Sequence, residues 1–189
     1  MKILPHRVLW LGLVSSMFVL TFVRGAVAHE VQPAVADINI GAQTVEIKID
    51  WVIEAPVAGI DLSGVSNTND AEEADVYDTL RALDPAEMEE AFRAAWDDVA
   101  QSITADMAAE PLDLQIDAVM IPPVGDVTLI RISEVTLVAD LPRGDGLEFG
   151  WAVRLGPIVV RQVGVDNGYT AFLPGGGRSA PILRKGGSK

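Results

Sequence analysis

The stretch Thr44–Ile53, TVEIKIDWVI, decides the fold class. Its apolar residues recur at every second position. Val45, Ile47, Ile49 and Trp51 fall on one side, and Glu46, Lys48 and Asp50 on the other. Successive side chains of a strand point to opposite faces, so this period-two pattern predicts a strand with one face in a core and one in water. Upstream, Val31–Ile40 alternates more loosely, with Pro33 near its start, and Gly41-Ala42-Gln43 between the two runs predicts a hairpin.

Downstream the period changes. Asn67, Asn69 and Asp70 offer helix-start chemistry, and Val76, Tyr77, Leu80 and Leu83 then share one side at helical spacing. Asp84-Pro85-Ala86-Glu87 reads as a second start. Asp84 can cap, Pro85 suits the first helical position, and Glu87 stands where a capping-box acid reaches back. Met88, Phe92, Ala95, Val99, Ile103 and Met107 continue as a stripe of period near 3.6, which predicts helix to about Ala108, ahead of Pro111. Strand patterns then return. They run over Leu112–Ile121, over Val127–Leu141 after the turn Pro122–Asp126, over Leu147–Leu155 and Ile158–Val165 as a hairpin about Gly156-Pro157, and over Tyr169–Leu173. The whole predicts a mainly β (α+β) fold: an antiparallel β-sandwich, Ig-like in character, with a two-helix insertion at about 70–108. Trp51, Trp96 and Trp151 sit on apolar faces and are expected in the core.

The ends differ from this domain. Lys2, His6 and Arg7 precede the uncharged run Val8–Val23, and Ala26-Val27-Ala28 supplies small residues at an A-x-A site. Residues 1–28 therefore read as a secretory signal peptide, which puts the remainder outside the cytoplasm, in the periplasm. The expected domain covers 29–175. The Gly-rich 176–189 is expected to be a flexible tail. The leader carries Lys2, Arg7 and Arg24 and no acid, so its removal takes the net charge from −13 to −16.

Composition narrows the chemistry. A strongly acidic domain lacks the clustered Lys and Arg that nucleic acid or anionic lipid requires. With no cysteine there are no disulfides, thiolate metal sites or cysteine nucleophiles. There is no G-x-S-x-G, P-loop or EF-hand loop, a serine triad lacks a placed base, and no small-molecule substrate is indicated. An enzyme is not expected. The acids Glu72, Glu73, Asp75, Asp78, Glu87, Glu89, Glu90, Asp97 and Asp98 are expected on solvated helix faces. Asp61 and Asp126 are isolated loop acids, expected to shape turns or to pair with Arg131, Arg154 or Arg161. One ligand set suggests itself. After cleavage the chain would begin at His29, whose α-amino and imidazole nitrogens, with Glu30, can chelate Ni(II) or Cu(II).

Several segments, in order, carry a resemblance: AHEVQPAVADI (Ala28–Ile38), EAPVAGIDL (Glu54–Leu62), YDTLRAL (Tyr77–Leu83), FRAAW (Phe92–Trp96), IPPVGDV (Ile121–Val127), VVRQ (Val159–Gln162), YTAFL (Tyr169–Leu173) and SAPI (Ser179–Ile182). Together they resemble the extracytoplasmic N-terminal domain of the HupE/UreJ family. The resemblance covers nearly all of 29–182. It implies an accessory role in nickel supply to hydrogenase or urease, beside a membrane-spanning part. Here the sequence reads LRKGGSK after Ile182, where the family enters the membrane. That leaves a stand-alone domain, half of a split gene or a truncated product, and the resemblance implies an accessory or docking module for a membrane-protein partner. The alternative is a periplasmic metal-binding protein using His29.

Overall fold

A computed structural model describes residues 31–184. The predicted first hairpin is present: β1 (Ala34–Ile40) pairs antiparallel with β2 (Thr44–Trp51), and the Gly41 N–H donates to the Thr44 carbonyl at 2.9 Å. Val45, Ile47, Ile49 and Trp51 are all buried, as their alternation requires. Three helices follow, α1 (Glu54–Ala58), α2 (Ala74–Arg81) and α3 (Pro85–Ala100). The remaining strands are β3 (Ile103–Met107), β4 (Glu110–Pro111), β5 (Gln115–Met120), β6 (Ser133–Asp140), β7 (Gly146–Trp151), β8 (Ile158–Gln162), β9 (Thr170–Leu173), β10 (Gly177–Arg178) and β11 (Ile182–Leu183).

These strands make two sheets, as in a sandwich. The larger runs β5-β6-β2-β1-β8-β9, and the smaller runs β10-β7-β3-β4, with β11 also on β7. Every pairing is antiparallel except β1 with β8, which run parallel. One core fills the space between the sheets, built from Ile38, Ile47, Ile49, Val135, Leu137 and Val160 on one side and Ala105, Leu147 and Phe149 on the other. Helix α3 closes one end by inserting Met88, Phe92 and Val99. There Trp51, at the end of β2, meets the Phe92 ring edge-on at 6.2 Å and the Trp151 ring at 5.0 Å. Trp51 and Trp151 are buried, and Trp96 packs half-buried on Phe92.

The start of α3 follows the sequence. The Asp84 carboxylate accepts from the Ala86 and Glu87 amides, and Glu87 accepts from the Asp84 amide, so the capping box is complete. Its end differs from the expectation. The helix stops at Ala100, not near Ala108, and the helical region spans 54–100 with three helices rather than two over 70–108. Residues 99, 103 and 107 satisfy a 3.6 period, but Ile103, Ala105 and Met107 also satisfy a period of two. Pairing of β3 with β7 selects the second. The turn from β3 to β4 is carried by Ala108 and Ala109, both at positive φ (51° and 65°).

Three other expectations are corrected. Residues 127–132 are loop, and the strand begins only at Ser133, because this segment is bonded to helices instead of to a neighbouring strand. Leu147–Leu155 and Ile158–Val165 form no hairpin. A 3-10 turn at Val153–Leu155 and Gly156, at φ 79°, carry the chain from one sheet to the other. The segment from 176 is no frayed tail as far as 184. Gly177 and Arg178 pair with one end of β7, and Ile182 and Leu183 with the other. Between them Ser179 donates its N–H to the Phe149 carbonyl and accepts the Phe149 N–H on its hydroxyl. Ile182 is fully buried. The last five residues, 185–189, and the expected signal peptide, 1–28, lie outside the described residues. Among the described residues no helix is long and apolar enough to cross a membrane.

Candidate functional site

Between β5 and β6 lies IPPVGDVTLIRI, Ile121–Ile132. Its second half, Val127–Ile132, has strand composition, yet Val124, Val127, Leu129 and Ile132 are exposed, and so is Met120 beside them. Leu129, at 62%, is the most exposed large apolar residue described. Contiguous exposed apolar groups are costly in water, and on natural proteins they mark contact surfaces.

The loop is held by an exchange of arginines. Arg131, on the loop, is buried and reaches inward. Its Nε donates to Glu54 Oε1 at 2.7 Å, and its two terminal nitrogens donate to the Leu83 and Leu80 carbonyls at 2.8 and 3.2 Å. Leu80 stands in the last turn of α2 and Leu83 just beyond it; the Leu80 carbonyl also accepts the Leu83 amide at 3.1 Å, so the guanidinium braces the chain where it leaves the helix. Arg81, the last residue of α2, answers by donating to the Leu129 carbonyl. The Arg81 guanidinium also lies 5.3 Å from the centre of the Tyr77 ring, a cation–π contact, and 3.9 Å from Asp78. Glu54 is wholly buried, and its second oxygen has no hydrogen-bond partner among the described residues. Burial moves Tyr77 the other way from its neighbouring cation. Desolvation raises the phenol above its ordinary value of 10.0, and Arg81 opposes this.

The loop tip is turned by Asp126. Its carboxylate accepts the Thr128 amide at 2.9 Å and the Thr128 hydroxyl at 2.6 Å, and these bonds hold its pKa below the usual carboxylate value. Asp61 makes the same arrangement with Ser63, and Ser63 lowers its pKa likewise. Both loop acids therefore have the turn role. Arg131 takes Glu54, and Arg161 takes Asp37 through two bonds of 2.6 and 2.7 Å.

Small-molecule chemistry finds little room beneath this loop. The cavity lined by Trp51, Thr68, Tyr77 and Ile130 has space of about 20 Å³ for water-sized spheres. An organic ligand needs several hundred. Among the described residues no three acids or histidines are grouped to hold a metal ion. The acidic helix residues singled out above are mostly exposed or half-buried. His29 and Glu30 lie outside the described residues, so the expected metal ligands are not placed. Neither Glu54 nor the Arg81–Arg131 exchange stands out in the sequence. The available signal is one arginine inside an apolar loop, with an acid at the start of a short helix. No protein-family model matches the chain, and no curated protein matches it.

Proposed function

We propose that the chain is a non-enzymatic, periplasmic docking module of HupE/UreJ type, acting with a membrane-protein partner in supplying nickel to hydrogenase or urease. The observation that carries the docking part is the exposed apolar loop anchored to α1 and α2 by Arg81 and Arg131. A loop that merely connected two strands would gain nothing from exposing Val127 and Leu129 while its Arg131 is bonded inward. Preorganisation of this kind lowers the ordering cost of association. The nickel and membrane parts rest on the sequence resemblance and on the leader.

The test uses the full chain in a Gram-negative host that makes a nickel enzyme, with a photo-crosslinking residue at Leu129. The expected product joins the chain to an integral membrane protein, and Val127→Ser/Leu129→Ser loses both that product and part of the cell's nickel uptake. A chain that stays monomeric and uncrosslinked, with nickel uptake unchanged when it is deleted, overturns the reading.

A further inference from the structure

Beside the loop, the outward face of the larger sheet carries one unusual row. The registers set Met120 opposite Glu134, Glu134 opposite Asp50, Asp50 opposite Val35, Val35 opposite Val159, and Val159 opposite Phe172. Their flanking neighbours on β1, β2, β6 and β8 are buried, so the row faces away from the core. It is apolar at both ends, where Met120 is 59% and Phe172 56% exposed, and acidic in the middle.

Two carboxylates directly opposite one another on neighbouring strands repel, which is an unfavourable choice for a sheet facing only water. The next row shows the favourable choice, with Asp37 between Lys48 and Arg161. Lys48 also lies 4.0 Å from Glu134, but Asp50 has no ion pair among the described residues. Surface grooves flank Ile132 on either side. One, of about 300 Å³, is lined by Met120, Pro122, Asp50 and Glu134. The other, of about 200 Å³, is lined by Val35, Val52 and Asp50.

We propose that this row recognises the partner, and that the partner's contacting segment presents one lysine or arginine between apolar side chains. The cation lies between Asp50 and Glu134, and the apolar side chains fill the grooves beside Ile132. The inference rests on the docking reading and specifies its partner chemistry. A lipid surface is the poorer occupant, because the domain is strongly acidic and the adjoining loop tip carries the Asp126 carboxylate, which would have to enter the bilayer with Val124 and Val127.

The test is an amide NMR titration of the chain, recovered from a Gram-negative host, with the blocked peptide Leu-Val-Lys-Val-Leu. Shifts are expected at Val35, Asp50 and Glu134. A glutamate in place of the peptide's lysine should weaken binding by at least about tenfold, through like-charge contact. Asp50→Asn/Glu134→Gln should weaken the lysine peptide by roughly threefold to tenfold, the scale of two exposed ion pairs. Equal binding of the two peptides, shifts elsewhere, or no binding overturns the proposal. So does row-dependent sedimentation with vesicles of three parts phosphatidylethanolamine to one of phosphatidylglycerol. The Leu129 crosslink separates the two claims. If its yield is undiminished in the Asp50→Asn/Glu134→Gln chain, only the partner chemistry fails; if it never forms, the docking reading fails too.

Discussion

Replacing Arg131 by methionine keeps most of the side-chain volume and removes every bond that anchors the loop from its own side. Its partner Glu54 is wholly buried, with one oxygen already lacking a hydrogen bond among the described residues. Breaking such a pair leaves a charge uncompensated and costs about 3–5 kcal/mol. The Leu83 and Leu80 carbonyls lose the guanidinium at the same time, at roughly 1 kcal/mol for Leu83 and less for Leu80, which keeps the Leu83 amide. The losses share one side chain and do not add fully, so about 4 kcal/mol is expected in total. That is a large part of the roughly 5–15 kcal/mol that holds a domain together. The assay is urea unfolding followed by tryptophan fluorescence, with the slope checked for two-state behaviour. Two companions keep the test informative if Arg131→Met does not fold. Arg131→Lys keeps the charge but not the planar fork, and should cost about 1–2 kcal/mol. Glu54→Met/Arg131→Met removes both charges and should recover to within about 2 kcal/mol of the parent, with the guanidinium's bonds to the two carbonyls still missing. A cost for Arg131→Met below about 1 kcal/mol would refute the anchoring argument. So would a double variant no more stable than the single.

Three further outcomes follow from local geometry. The turn at Ala108-Ala109 has positive φ at both residues, so Ala108→Asn/Ala109→Gly should stabilise by about 1 kcal/mol, read as a higher urea midpoint. Tyr77 has a folded pKa raised above its unfolded value of 10.0, so its contribution is complete below pH 10 and is lost as pH rises through the folded value. The midpoint of the parent should therefore fall on the alkaline side relative to Tyr77→Phe; parallel profiles would sink that assignment. Gly59 and Gly176 both have positive φ, but a side chain at Gly59 meets nothing within 4 Å, while at Gly176 it would lie 2.5 Å from the Trp151 carbonyl oxygen. Gly59→Ala should cost about 1 kcal/mol and Gly176→Ala clearly more, and equal midpoints would contradict the packing.

What the sequence made legible was local. Thr44–Trp51 alternates because one face is core and the other water, and Asp84 to Glu87 forms a capping box from its own side chains. What it hid depends on distant partners. Ile103 and Met107 fit two periods, and only the β7 edge decides between them. Val127–Ile132 has strand composition, but its Arg131 answers to a glutamate 77 residues away. Ser179 looks like part of a linker until its hydroxyl meets the Phe149 amide. The outward row from Met120 to Phe172 could not be read at all before the register was known.

The parallel pairing of the first strand with β8 also bears on the order of events in folding. Asp37 and Arg161, joined by two hydrogen bonds, are 124 positions apart. A chain made or threaded from its N-terminus can fold the β1–β2 hairpin and α3 early, but it cannot complete the larger sheet until residues 158–162 have emerged. Contacts this distant must pay their loop-closure entropy before they return any stabilisation, which places folding toward the slow end, milliseconds to seconds. Until then β1 offers one open edge, and the acidic charge of the chain keeps such unfinished molecules apart.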